Sequence, residues 1–170
     1  RERNDIMTET TNTAPTSPAP ADTVQAPTGA EAPVRHLYLV DGSGYIFRAY
    51  HKLPPTMSRP DGTPTFAAYG FVNMLLKLLR DTSQRDALAV IFDAKGESFR
   101  SEIYPAYKAN RPPMPEDLAP QIPIVHDAVR AFNIPCIERE RYEADDIIAS
   151  LVTEAKRRGV NVTIVSSDKD

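Results

Sequence analysis

The sequence predicts an α/β fold, a parallel sheet covered by helices on both faces. Three observations carry this expectation. Short apolar runs alternate with segments of helical period. The runs are apolar at nearly every position, as strands buried on both sides are. Three of them close on an aspartate, at Asp41, Asp93 and Asp168.

The elements follow in order. Arg1 to Pro33 is rich in Pro, Ala and Thr and almost without large apolar residues, so it reads as a disordered leader that cannot offset its own conformational entropy. It has neither the apolar core of a signal peptide nor the basic amphipathic pattern of a transit peptide, and Met7 is a candidate start. Regular patterning begins at Val34. HLYLVD reads as a buried strand closed by the turn signal Asp41-Gly42, and GYIFRAYH as a short helix. LPPTMSRPDGTP is a loop. Thr65 is placed to cap FAAYGFVNMLLKLLR, where Phe66, Tyr69, Phe71, Met74, Leu75, Leu78 and Leu79 recur at helical spacing.

ALAVIFD repeats the strand pattern and ends at Asp93. Ala94 to Pro115 is polar, basic and aromatic. Leu118 to Phe132 has apolar Ile122, Val125, Val129 and Phe132 at helical spacing, with Pro120 and Pro123 near the first turn, where proline is tolerated. PCIE is a short strand. YEADDIIASLVTEAKRRG sets Ala144, Ile148, Leu151 and Ala155 on one face, bases Lys156 to Arg158 in the last turn and Gly159 as the stop. VNVTIVSSD is a fourth strand. The sequence stops at Asp170, at the lip of that strand, so the core is expected to be incomplete at its C-terminal end.

Composition narrows the function. No apolar run approaches the roughly 18 residues that span a bilayer. A single cysteine, Cys136, leaves no internal disulfide and fits a reducing cytoplasm; within IPCIE it reads as a buried structural thiol. The net charge of −3 gives no global sign of nucleic-acid binding, so any such contact must be a local basic patch.

The acids are the strongest signal. In an open parallel sheet the crevice lies beyond the carboxyl ends of the strands, where Asp41, Asp93 and Asp168 would converge. The helix begun by YEADD adds Glu143, Asp145 and Asp146 in its first turn, Glu143 and Asp146 on one face, and Asp170 would be a seventh carboxylate. So many like charges require cations, and all-oxygen ligation selects hard ions such as Mg²⁺ or Mn²⁺. Taken singly, each acid has a plainer reading: a turn at Asp41-Gly42, a cap at Asp93, complementation of a helix dipole at Glu143, Asp145 and Asp146. Between the second strand and the prolines, Lys95, Arg100, Lys108 and Arg111 are interleaved with Phe99, Tyr104 and Tyr107. Cations beside stacking rings suit single-stranded nucleic acid, although Glu97 and Glu102 also allow an ordinary solvated face.

LVDGSGYIFRAYH, VIFDAKGESFRSEIYPAYKANRPPMPEDL, YEADDIIASL and VSSDKD, in this order, resemble the 5′-nuclease domain of bacterial DNA polymerase I, related to the flap endonucleases; the likeness runs from Val34 to Asp170. It implies a three-layer, PIN-like core with a helical arch over about residues 94–117. It also implies an enzyme that cuts DNA at 5′ ends or flaps with two Mg²⁺ or Mn²⁺ ions, followed in the same chain by further nuclease and polymerase domains. The acids Asp41, Asp93, Glu143, Asp145, Asp146, Asp168 and Asp170 match the family's metal site. Lys108 and Arg111 match its arch cations, as catalytic and phosphate-binding residues, with Arg100, Tyr104 and Tyr107 as further substrate contacts. A further aspartate pair and a duplex-binding motif of the family fall beyond Asp170, so the fragment alone is expected to cut poorly or not at all. Two other readings stay open: a non-catalytic DNA-binding fragment, and a phosphoacceptor signalling domain, which also sets acids and a lysine at strand ends.

Overall fold

The computed structural model describes residues 34–83 and 86–167. The expected leader, residues 1–33, and the acids Asp168 and Asp170 lie outside the described residues. The elements run β1 (His36–Asp41), α1 (Gly42–Lys52), α2 (Phe66–Asp81), β2 (Asp86–Ile91), α3 (Phe99–Ile103), α4 (Gln121–Ala131), β3 (Cys136–Ile137), α5 (Ala144–Arg157) and β4 (Asn161–Val165).

The four strands form one parallel sheet in the order β3-β2-β1-β4. Val40 lies opposite Val90 on one side and Val165 on the other. The strand period of two divides the apolar runs between two cores. Val40, Val90 and Phe92 pack with α1, α2 and α4 through Ile46, Phe66, Phe71, Leu75, Val125 and Val129. Leu39, Ala89 and Ile91 turn the other way onto Ala144 and Ile148 of α5. Helices therefore cover both faces, and the three-layer α/β expectation holds. Among the described residues no helix is long and apolar enough to cross a membrane.

Two close approaches fix how α1 leaves β1 and how it packs on α2. A Cβ on Gly42 would lie 2.5 Å from the Phe92 ring, so only glycine lets α1 begin directly on the last residue of β1. The α1–α2 contact is similarly tight, since a Cβ on Gly70 would sit 2.6 Å from Leu53 Cδ1 and 3.0 Å from Ala49 Cβ.

Three expectations change in detail. Thr65 occupies the N-cap position of α2, but its side chain makes no capping bond. The fully buried Gln121 does that work: its Oε1 accepts from the N–H groups of Ala67 and Ala68, at 2.8 and 3.1 Å, while its Nε2 donates to the Asp117 carbonyl. The strand ending at Asp93 stops at Ile91, although Phe92 N still bonds to Ile137 O. The helical arch implied for residues 94–117 holds one five-residue helix, α3, followed mainly by turns. Pro105, Pro112, Pro113 and Pro115, which lack an N–H and clash with a preceding turn, keep the rest of that segment from continuing as helix.

Candidate functional site

The carboxyl ends of β1 and β2 lie side by side, Asp41 opposite Ile91, and the N-terminus of α5 meets them there. Asp41 caps α1, its Oδ1 accepting from Gly44 N at 2.9 Å and its Oδ2 from the Ser166 hydroxyl at 3.1 Å. Asp93 is held by two bonds: its N–H donates to Ser43 Oγ at 2.9 Å, and its Oδ1 accepts from Ala144 N, the first residue of α5, at 2.7 Å. Glu143 is the N-cap of α5 and Asp145 sits in its first turn, where the helix dipole favours negative charge. Asp41, Asp93, Glu143 and Asp145 line one open cleft of about 480 Å³, together with Ser43, Lys108, Arg111 and Ser167.

The electrostatics separate these acids. Burial, then the facing charges of Asp41, Asp93 and Glu143, push the Asp145 carboxyl above its usual range, and the charge of Lys108 offsets only part of that rise. Burial also opposes ionisation of Glu143, but hydrogen bonds from Lys108 and Tyr107 outweigh it and hold that carboxyl low. Lys108 Nζ stands 2.9 Å from Glu143 Oε2, and the Tyr107 hydroxyl donates to the same oxygen at 3.1 Å. Lys108 reaches it from a left-handed backbone, φ 54°, a conformation that costs a residue with a Cβ about 1 kcal/mol or more. Asp146 departs from the other acids. The fork of Arg100 takes both its oxygens at 2.6 Å and holds its carboxyl low, and it is not among the residues that line this cleft.

The arch residues divide in the same way. Lys108 and Arg111 line the acidic cleft and also an adjoining cleft of about 500 Å³ shared with Tyr107 and Tyr142. Arg100 lines neither cleft, and Tyr104 is 63% exposed outside both. Ser43, Gly44, Phe47 and Ser167 belong to the acidic cleft and were not singled out in the sequence. The signal for the first two was present in Asp41-Gly42-Ser43-Gly44, whose members share the first turn of a helix that starts at a strand end. Cys136 is half-buried, and burial pushes its thiol up, as suits a structural cysteine.

Among the described residues, no group of three or more acidic, histidine or cysteine side chains stands ready to hold a metal ion. The reason is visible in the bonds: Glu143 is engaged by Lys108, Asp146 by Arg100, and Asp41 and Asp93 by backbone amides. The donor chemistry nevertheless fits a hard divalent cation, with oxygen ligands only and an excess of negative charge that raises Asp145.

The sequence pattern of the family described as 5′-3′ exonuclease, N-terminal resolvase-like domain matches residues 36–170. The chain belongs to that family. It is 56% identical to a DNA polymerase I of Rhizobium leguminosarum, covering 79% of this chain and 14% of that protein. To a 5′-3′ exonuclease of Aquifex aeolicus it is 40% identical, covering 81% of this chain and 47% of the relative. Its fold matches the T5 D15 protein co-crystallised with metal ions at a TM-score of 0.56 and 27% identity, over 79% of this chain and 49% of that one. A complex of the bacteriophage T5 D15 flap endonuclease with DNA and metal ions matches at 0.54 and 26%, covering 79% and 50%. The chain thus spans about half or less of the length of these relatives.

Proposed function

We propose that this chain is the N-terminal part of a cytoplasmic, divalent-metal-dependent 5′-nuclease that hydrolyses DNA at 5′ ends and flaps in replication and repair, within a longer chain that carries further nuclease and polymerase domains. The observation that carries the reading is the convergence of Asp41, Asp93, Glu143 and Asp145 on one cleft overhung by Lys108 and Arg111. Asp41, Asp93, Glu143 and Asp145 would hold the ions, two Mg²⁺ or Mn²⁺, with Asp168 and Asp170 as further ligands. Divalent ions bound there would supply Lewis acidity toward the scissile phosphate and lower the pKa of a water. Lys108 places a positive charge beside the acids, where it compensates the charge that develops on the phosphate. Arg111 binds a neighbouring phosphate, and Tyr107 holds Glu143 in orientation through its hydroxyl. The phosphoacceptor reading loses its support, because the Asp145-Asp146 pair stands on α5 and the chain belongs to an exonuclease family.

The test has two arms. Calorimetric titration of Mn²⁺ into this chain is expected to show binding that Asp145→Asn weakens at least about tenfold. Cleavage of a 5′-flap DNA by a version extended as the curated relatives extend is expected to need Mg²⁺ or Mn²⁺ and to be lost with the same substitution. Binding without cleavage in the extended version would leave the non-catalytic DNA-binding reading in its place.

A further inference from the structure

We propose that Arg100 is a positioning residue that anchors the root of the arch segment to α5 and so sets where Lys108 and Glu143 stand, with Asp146 serving as its anchor point. This rests on the metal reading of the cleft only for its consequence, since the anchor itself is a property of the metal-free protein.

Four observations converge where α3 meets the start of α5. Its two terminal nitrogens bond both oxygens of Asp146 at 2.6 Å, the two-point geometry that a planar fork makes and an ammonium cannot. Its carbon lies 4.7 Å from the Phe99 ring centroid and 5.9 Å from that of Tyr107, so the same cation joins α3 to the segment carrying Lys108. Asp146 Oδ2 accepts at 3.1 Å from the backbone N–H of Glu143, which ties the pair to the residue that Lys108 and Tyr107 contact. Phe99 N in turn bonds to Arg141 O, whose residue adopts φ 71°, a second link between α3 and the lead-in to α5. The pair is sheltered, with side chains 32% and 21% exposed, so water competes with it less than with a surface bridge.

Amide hydrogen exchange and Lys108 side-chain ammonium NMR on the metal-free chain test this, with the thermal midpoint as the control for general loosening. Arg100→Gln and Asp146→Asn are each expected to speed exchange across residues 99–111 about tenfold and to disorder the Lys108 ammonium. Arg100→Lys, which keeps the charge and loses the fork, is expected to recover only part of the protection. In Arg100→Gln/Asp146→Asn together, the losses are expected not to add, because the partners act as one unit. Additive losses, full recovery with lysine, or unchanged exchange in either single variant would overturn the anchor. If the unaltered chain bound no Mn²⁺, the proposed nuclease function would fail while the exchange data still decided the anchor.

Discussion

Asp93 Oδ1 accepts a 2.7 Å hydrogen bond from the backbone N–H of Ala144, so the residue just past β2 holds the first turn of α5 against the end of the sheet. The same carboxylate lines the acidic cleft, and its two roles separate by substitution. Asp93→Asn keeps an acceptor for Ala144 and is expected to preserve stability while weakening Mn²⁺ binding. Asp93→Ala removes the acceptor as well and is expected to cost about 1 kcal/mol more in urea unfolding with EDTA present. Equal stability of the two variants would show that the bond contributes nothing measurable.

Asp145 is expected to behave in the opposite sense to Asp146. Burial and three facing carboxylates raise the Asp145 pKa in the folded chain, so the native state binds its proton more tightly than the unfolded chain does. Its contribution is therefore unfavourable once pH exceeds the ordinary carboxylate range, and is relieved as pH falls through the raised folded value. Asp145→Asn should stabilise the metal-free protein at neutral pH, by less than about 1 kcal/mol because solvent screens an exposed group. Asp146 has a lowered folded pKa through Arg100, so its stabilisation is present above the unfolded value and is lost on acidification through the folded one. Asp146→Asn should therefore destabilise at neutral pH. Urea midpoints from acid to neutral pH check both signs.

How much of this was legible in the sequence depended on whether the deciding contact was local. HLYLVD fixed β1 to the residue, because an apolar run ending at Asp41-Gly42 needs no distant partner to be recognised. The convergence of Asp41 and Asp93 was legible from the strand-end rule alone. Arg100 was not. Its place among Phe99, Tyr104 and Tyr107 gives no sign of its partner, and only the approach of α3 to α5, 46 residues away in sequence, brings it to Asp146. The α2 cap was hidden for the same reason, since Gln121 stands 54 residues from Ala67.

Gln121→Leu is expected to destabilise the fold by about 3 kcal/mol, since it fills the volume but leaves two buried helix N–H groups unpaired. Gln121→Glu keeps the acceptor for Ala67 and Ala68, and at acid pH its protonated carboxyl can still donate to the Asp117 carbonyl, so under those conditions it should cost less than leucine. Thermal unfolding of both variants at acid pH orders them, and a leucine variant as stable as the glutamate one would refute the capping role.

Gly44→Ala is expected to impair the cleft without harming the fold. A Cβ there would lie 2.3 Å from Asp41 Oδ2 and 2.7 Å from Ser167 Oγ, both ends of side chains that can turn aside. Helix propensity favours alanine by up to about 1 kcal/mol, and disturbing the Asp41 cap of α1 costs about as much, so the thermal midpoint should change little. Mn²⁺ affinity should fall about tenfold as the Asp41 carboxylate is displaced. Unchanged affinity would remove Asp41 from the ligand set.

Lys108→Ala is expected to move metal binding and catalysis in opposite directions. In the metal-free protein Lys108 Nζ lies 2.9 Å from Glu143 Oε2 and occupies an oxygen that the proposed ions need. It also opposes a second cation by its charge, a term worth about 1 kcal/mol at 4 Å in water. Removing it should tighten Mn²⁺ binding to this chain about fivefold at neutral pH. The gain should shrink on acidification, because without Lys108 less opposes the effect of burial on Glu143, Tyr107 and Arg100 alone remaining, and protons then compete better with the ion. On DNA the same charge would act differently: with an ion held at Glu143, the Lys108 ammonium would be free to face the phosphate and the charge that grows there in the transition state. An interaction realised chiefly there contributes to rate more than to affinity, and one such donor is typically worth about 10²–10³. Single-turnover cleavage by the extended version should therefore fall by that factor with DNA affinity little changed, and Lys108→Arg should recover part of it. Parallel losses of Mn²⁺ affinity and cleavage in Lys108→Ala would instead make the lysine a structural prop for Glu143.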